Sequence, residues 1–149
     1  MNTDIIITQE DREFYIKASI LHQLLHLVGF NDSVLDIVNP PPYAFSWINY
    51  KYSLVRGKAF EFAQKYFGCF DLDTNHLLIK NGIIMEDLIG GYIHWNNLQF
   101  LGELMSSSFD YPEITLSEIT LALFEDTGLY KVNYYTGGLT RYGKNKGCI

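Results

Sequence analysis

Two histidines, His22 and His26, stand four residues apart in an apolar stretch that ends at Gly29. If this stretch is helical, both imidazoles lie on one face and can reach a single metal ion. This is the ligand spacing of the H-E-x-x-H pattern, in which the glutamate after the first histidine serves as the general base. Here that residue is Gln23. An amide can hydrogen-bond a water molecule but has no titratable proton, so the pattern predicts metal binding without a general base.

A zinc site needs at least one more protein ligand. Three residues qualify in the sequence: Asp32, three residues after Gly29; His76, in a polar turn; and His94, which precedes Trp95. The residues alone leave these three candidates open. They also leave open a structural histidine pair that binds no metal.

The composition is that of a single domain. The chain has 149 residues, of which 48% are hydrophobic, enough for a buried core. A net charge of −6 argues against nucleic acid or an anionic membrane surface as the main partner. No apolar run is long enough to span a bilayer, and the first residues do not predict a signal peptide. The two cysteines, Cys69 and Cys148, allow one disulfide.

The histidines lie in a helix predicted from about residue 9 to residue 28, with Thr8 as its cap and Gly29 ending it in a left-handed conformation. Apolar residues at alternating spacings of four and three predict a core-facing stripe, and the histidines fall on the neighbouring stripe. The predicted core stripe consists of Phe14, Ala18, Leu21, Leu25 and Val28.

The rest of the chain alternates loops with short elements, so the predicted class is α+β, mostly helical with short strands and long loops. Residues 31–55 contain three consecutive prolines and are predicted to be a long loop with at most one short strand. Two further helices are predicted at 56–67 and 116–127, each ending at a glycine. Residues 69–108 are predicted to form short strands and turns.

Several segments together resemble the leishmanolysin family of zinc metallopeptidases, which belongs to the metzincin clan. The resemblance covers about residue 12 to the end of the chain. Its most specific part is the closing run Leu121-Ala122-Leu123-Phe124-Glu125-Asp126-Thr127-Gly128-Leu129-Tyr130-Lys131-Val132-Asn133. The other segments are His22-x-x-x-His26-x-x-Gly29-Phe30, Tyr66-Phe67-Gly68-Cys69, His94-Trp95, Glu103-Leu104-Met105 and Gly143-Lys144-Asn145-Lys146-Gly147-Cys148.

The resemblance implies a zinc cofactor held by His22, His26 and His94. Gly29 would turn the chain after the helix, and Met105, 11 residues after His94 (105 − 94), would lie in a methionine turn beneath the metal. The family has a glutamate as general base at position 23, where this sequence has Gln23. Glu103 is interpreted as a structural hydrogen-bonding partner and not as a substitute base.

The same resemblance predicts one partial catalytic domain over residues 1–149. Residues 1–30 would form the active-site helix region, and residues 31–149 the following subdomain with the third ligand and the methionine turn. The sheet that precedes the helix in metzincins is largely missing, so self-association through exposed apolar surface is expected.

The predicted function is a zinc metalloendopeptidase that acts on peptide or protein substrates, with little or no activity because of Gln23 and the absent sheet. The alternative is a non-catalytic zinc-binding pseudopeptidase that serves as a binding or adhesion module. The family suggests a membrane-associated or extracellular location, with cytoplasmic members also known.

Overall fold

The computed structural model describes residues 8–38, 52–69, 82–88, 92–108, 114–138 and 142–147. These ranges contain four α-helices and three short strands, which confirms the predicted α+β class. In chain order the elements are α1 (Gln9–Val28), α2 (Asp32–Val38), β1 (Tyr52–Leu54), α3 (Lys58–Phe67), β2 (Ile83–Leu88), β3 (Tyr92–Trp95), α4 (Glu118–Asp126) and a 3-10 helix (Tyr134–Thr136).

Helix α1 has the bounds that the sequence predicts. The Thr8 hydroxyl accepts from the backbone N–H of Asp11, and the Asp11 carboxylate accepts from the N–H of Thr8, forming a capping box. At the other end the N–H of Gly29 donates to the oxygen of Leu25 at 3.1 Å. Gly29 has φ +150° and ψ −3°. The predicted left-handed helical conformation is therefore wrong, although this backbone geometry is also one that favours glycine.

The predicted core stripe of α1 is wrong in most of its members. Phe14, Leu21 and Val28 are 41%, 42% and 44% exposed, whereas Ala18 is buried and Leu25 is half-buried. The buried residues of α1 are Ala18, His22 and His26. The helix therefore turns its histidine stripe towards the rest of the described chain and leaves an apolar face exposed.

The loop predicted for residues 31–55 is wrong at its start, where the chain forms α2. The side-chain oxygen of Asn31 accepts from the N–H of Val34 at 3.3 Å, which stabilises the first turn of this helix. Residues 39–51, including the three prolines, lie outside the described residues. The short strand expected in this region is β1.

The three strands form one antiparallel sheet in the order β1-β2-β3. In its register Met85 pairs with Trp95 and Glu86 pairs with His94. Because side chains alternate between the two faces of a strand, Met85 and Trp95 share one face, and Glu86 and His94 share the other. Met85 and Trp95 enter the apolar core, while His94 meets α1.

Aromatic rings connect the sheet to the helices on the core side. Trp95 packs edge-on against Phe30, with 5.1 Å between ring centroids, and lies 5.2 Å from Phe100. Phe100 in turn contacts Phe67 at the end of α3. Phe30 follows α1 directly, so this cluster fixes the exit of α1 against the strand that carries His94.

Helices α3 and α4 pack together beside this core. The Asp126 carboxylate accepts from the backbone N–H groups of Lys58 and Ala59 at 2.8 and 2.9 Å, so a residue at the end of α4 caps α3. Helix α3 begins two residues later than predicted and ends at Gly68, which has φ +71°. Cys69 is disulfide-bonded, and Cys148, the other cysteine of the chain, lies outside the described residues.

Candidate metal centre

Three imidazole nitrogens converge between α1 and β3. Nε2 of His22 lies 3.0 Å from Nε2 of His26 and 3.0 Å from Nε2 of His94. The Nε2 atoms of His26 and His94 are 3.1 Å apart. All three side chains are buried. Within the described ranges, these histidines form the one group of three ligand-type side chains close enough to hold a metal ion.

The two elements place the rings in different ways. Helix α1 stacks His22 and His26 one turn apart, with their rings nearly perpendicular at a centroid distance of 4.6 Å. Strand β3 brings His94 against them, and its ring stacks on that of His22 at 5.0 Å. Tyr92, two residues before His94, lies on the same face of β3, and its ring centroid is 5.0 Å from that of His26.

Backbone carbonyls fix the orientation of both helix histidines. Nδ1 of His22 lies 2.7 Å from the oxygen of Leu104, and Nδ1 of His26 lies 2.8 Å from the oxygen of Phe30. A carbonyl oxygen can only accept a hydrogen bond, so each Nδ1 carries the proton. In the neutral rings both Nε2 lone pairs then point into the cluster, as metal ligation requires.

The local environment keeps these rings in the neutral form that binds metal. Burial lowers the pKa of His22 and of His26, opposed by their backbone hydrogen bonds. For His94, burial is the largest of the causes that lower the pKa to about 4, and the charges of His26 and His22 act in the same direction. The Tyr92 backbone and the Glu86 carboxylate oppose this shift. The three histidines are therefore uncharged at neutral pH.

The donor set fits a metal ion. Lone pairs of His22 and His26 face each other at 3.0 Å without a proton between them, which is unfavourable unless a cation lies among them. Tetrahedral zinc with bonds of about 2.0 to 2.1 Å separates its nitrogen ligands by roughly 3.3 to 3.4 Å. The rings need to separate by only a few tenths of an ångström to reach that spacing. Catalytic zinc sites have three protein ligands and an open fourth position, and the cluster supplies three histidines.

Gln23 is exposed beside the cluster and lines a cleft of about 670 Å³. His26, Tyr92 and Asn31 line the same cleft, and its apolar wall comes from the exposed face of α1, formed by Ile20, Leu24 and Leu27. A bound molecule can therefore contact Gln23 and reach the edge of the histidine cluster. The side chain at the position of the general base has no proton that titrates in a useful range.

The other residues singled out in the sequence have separate locations. Asp32 is exposed at the first residue of α2 and is not part of the histidine cluster. His76 lies outside the described residues. Met105 is completely buried, and its oxygen accepts from the N–H of Trp95 at 2.8 Å, next to His94. Gly29 ends α1 as predicted.

Two neighbours of His94 are not identified by the sequence reasoning. Tyr92 lines the cleft, and Glu86 lies directly opposite His94 in the sheet. Nδ1 of His94 is buried without a hydrogen-bond partner among the described residues. The alternation of the strand could have indicated Tyr92, because residues two apart share a face. The position of Glu86 opposite His94 depends on the register of β2 against β3, which sequence periodicity does not determine.

These elements define a domain in which one helix and one strand present three convergent histidines, the site type of a metal-dependent enzyme. The sequence profile of the leishmanolysin family of peptidases matches residues 1–149. The chain belongs to this family, as the resemblance predicted, and membership in a family of metallopeptidases implies a metal at the site.

Individual relatives show the same relationship. The chain is 32% identical to the leishmanolysin-like peptidase of Caenorhabditis elegans over 96 residues, which is 64% of this chain and 13% of that protein. It is 28% identical to the ciliated left-right organizer metallopeptidase of Xenopus laevis over 97% of this chain and 21% of that protein. The human protein of that name is 29% identical over 89% of this chain and 18% of its own length. The chain thus spans about a fifth or less of these relatives.

Among the residues that the structure describes, no helix combines the length and the apolar character needed to cross a membrane.

Proposed function

We propose that this chain is the zinc-binding part of a leishmanolysin-like metalloendopeptidase, with strongly reduced or absent hydrolytic activity. The observation that carries the proposal is the triangle of Nε2 atoms, 3.0 to 3.1 Å on each side, formed by His22, His26 and His94. We assign these three residues as the zinc ligands. A peptide chain is the substrate class of the family, and the cleft beside Gln23 is the place where it would bind.

The proposal assigns each part of the zinc chemistry to residues of this chain. A bound zinc ion supplies a Lewis acid that polarises a peptide carbonyl and lowers the pKa of water. The carbonyls of Leu104 and Phe30 hold the helix histidines in the ligating tautomer. Met105 is buried, and its oxygen accepts from the N–H of Trp95, which supports β3 next to His94. The domain is accordingly divided into an active-site helix region, residues 1–30, and a following subdomain, residues 31–149.

Gln23 limits what this site can do. Peptide hydrolysis needs a group that takes a proton from the attacking water and delivers it to the leaving amine. The amide of Gln23 can orient a water molecule through hydrogen bonds but cannot carry that proton. Losing a general base costs about 10² to 10⁴ in rate.

Gln23 also favours a second candidate, a non-catalytic zinc-binding pseudopeptidase that acts as a binding or adhesion module. In that protein His22, His26 and His94 would hold the metal, and a peptide bound in the cleft would be retained without cleavage. The two candidates share the zinc site and differ in turnover. Cleavage of an unfolded protein substrate that stops on addition of a chelator supports the peptidase, and peptide binding without cleavage supports the pseudopeptidase.

Metal analysis tests the zinc site itself. We expect about one zinc per chain in the purified protein, a loss of zinc in His94→Ala and retention of zinc in Asp32→Ala. Asp32→Ala is the matched control, since Asp32 is the competing ligand in the sequence and lies exposed on α2. Loss of zinc from the Asp32 variant alone would overturn the ligand set. Absence of bound metal from the unsubstituted protein would overturn both candidate functions.

A further inference from the structure

Glu103 is a buried carboxylate with four hydrogen-bond donors around it. Its side chain is 1% exposed. One oxygen accepts from the N–H and the hydroxyl of Ser117, each at 3.0 Å, and from the hydroxyl of Thr120 at 2.5 Å. The other oxygen accepts from the N–H of Met105. Burial raises the pKa of Glu103, whereas these hydrogen bonds lower it.

This network is connected to the strand that carries His94. The indole N–H of Trp95 donates to the Thr120 hydroxyl at 2.7 Å, and that hydroxyl donates onward to Glu103. The backbone N–H of Trp95 donates to the oxygen of Met105 at 2.8 Å. Trp95, the residue after His94, is thus held through its side chain and through its backbone by groups that Glu103 organises.

The same network is connected to His22. The residue after Glu103 is Leu104, whose oxygen accepts from Nδ1 of His22 at 2.7 Å. The N–H of Leu104 donates to the oxygen of Thr115 at 2.8 Å. Because the Glu103 carboxylate holds the N–H of Met105, it also restrains the peptide that carries the Leu104 oxygen.

A role for Glu103 as a substitute base is excluded by the same contacts. Its two oxygens are engaged with protein donors, and 1% exposure leaves no path for water to reach them. A buried carboxylate is costly to desolvate, and four donors offset part of that cost. Its place in the structure therefore points to orientation of neighbouring groups.

We propose that Glu103 is a positioning residue of the metal site, which holds the Leu104 oxygen against His22 and fixes Trp95 beside His94. This inference rests on the proposed zinc site, because its effect is read through metal binding. Ligand geometry has to be maintained within about 0.5 Å for a productive site. Groups that orient metal ligands typically contribute about 10-fold to 100-fold in metal affinity.

The test is zinc affinity of the full chain, measured by competition with a chromophoric chelator, together with the visible spectrum of the Co²⁺-loaded protein. In Glu103→Gln an amide NH₂ replaces one carboxylate oxygen. The NH₂ is a donor, and it then faces protein N–H or hydroxyl donors that the oxygen accepted from. We expect zinc affinity to fall about 10-fold to 100-fold and the Co²⁺ absorption bands to shift. A role confined to general stability would leave those bands unchanged.

The matched control is Asp126→Asn. It makes the same carboxylate-to-amide change at a residue that accepts two backbone N–H groups at the start of α3. We expect this variant to lose stability while keeping the zinc affinity and the Co²⁺ spectrum of the unsubstituted protein.

A second variant, Thr120→Val, covers the case in which Glu103→Gln does not fold. It removes the hydroxyl between Trp95 and Glu103 and keeps a side chain of similar volume. We expect weaker zinc binding and a shifted Co²⁺ spectrum. If Glu103→Gln folds and its zinc affinity and Co²⁺ spectrum are unchanged, the inference is overturned. If Glu103→Gln does not fold, the same result for Thr120→Val overturns it. Either outcome leaves the proposed zinc site intact. An unsubstituted protein that binds neither Zn²⁺ nor Co²⁺ overturns the proposed function, and the inference with it.

Discussion

Nδ1 of His22 donates a hydrogen bond of 2.7 Å to the backbone oxygen of Leu104, a residue 82 positions later in the chain. This contact selects the tautomer of a histidine whose spacing to His26 is purely local. The helix supplies two of the proposed ligands, but the segment after β3 determines how His22 presents its lone pair. The site therefore depends on tertiary structure even where its motif is continuous in sequence.

Gln23→Glu is expected to restore peptidase activity in a protein that folds and contains the substrate-binding elements. The new carboxylate lies beside the cluster and in the cleft, where it can take the proton of the attacking water. The rate of cleavage of an unfolded protein substrate should rise by about 10² to 10⁴ and should be lost on chelation. Gln9→Glu, the same change in the exposed first turn of α1, serves as the control and should have no effect. Equal and chelator-insensitive rates in all three proteins would refute this expectation.

The metal-free protein is expected to lose stability in mild acid. The folded pKa values of His22, His26 and His94 lie below 6.5, the value of an ordinary histidine, and that of His94 is about 4. Between pH 6.5 and 4 the unfolded chain therefore binds protons that the folded chain does not. The free energy of unfolding consequently decreases as the pH is lowered. Its slope is at most about 1.4 kcal/mol per pH unit for each histidine.

Urea unfolding of chelator-treated protein between pH 7.5 and 4.5 measures this slope. His94→Ala is the control, and it should have a shallower dependence because one of the shifted groups is removed. A free energy of unfolding that stays constant over this range would show that the rings take up protons at the same pH in the folded and the unfolded chain.

Gly29→Ala is expected to destabilise the fold. A side chain at φ +150° is strained, at a cost of about 1 to 3 kcal/mol. The added Cβ would also lie 3.2 Å from a ring carbon of Phe124 and 3.4 Å from a methyl group of Val34. Gly128→Ala is the control, since Gly128 has φ +73° and open space around its Cβ position. Thermal unfolding should show the larger loss for Gly29→Ala, and the reverse order would contradict the packing around the end of α1.

Self-association through α1 is expected at high protein concentration. Its exposed face includes Ile20, Leu24 and Leu27, and Leu27 is 79% exposed. Leu27→Glu should shift sedimentation towards the monomer. Leu98→Glu makes the same change at a residue that is 76% exposed and is not part of α1, so it should leave the association unchanged. An equal shift towards the monomer in both variants would show that the association is non-specific and not due to α1.

Local signals in the sequence were sufficient for three of the four described α-helices and for part of the site. Thr8 and Gly29 predicted the bounds of α1 because caps satisfy backbone groups that the helix leaves unpaired. Ser117 caps α4 in the same way. The convergence of His22 and His26 follows from the helical repeat alone. The placement of His94 came from family resemblance, because no local rule links residues 68 or more positions apart.

The failures arose where tertiary contacts decide the outcome. Periodicity identified two stripes on α1 but could not determine which one packs against the rest of the described chain. In the structure the stripe with the histidines is buried. Helix α2 was missed although Asn31-Asp32-Ser33 is a capping signal, because the prolines further on favoured a loop. The role of Glu103 as a hydrogen-bonding partner was anticipated, and its four donors confirm it.

With the proposed zinc site, the burial of histidines in place of leucines on α1 would make the position of this helix depend on metal. Where apolar packing docks a helix, the docking energy is a property of the protein alone. Here the contact surface of α1 includes two of the proposed ligands, so its docking would be linked to the free zinc concentration around the protein. Zinc at 100 times its dissociation constant would add about 2.7 kcal/mol to the stability of the folded state. Backbone amides of α1 should then exchange with solvent at a rate that reports how much zinc is available.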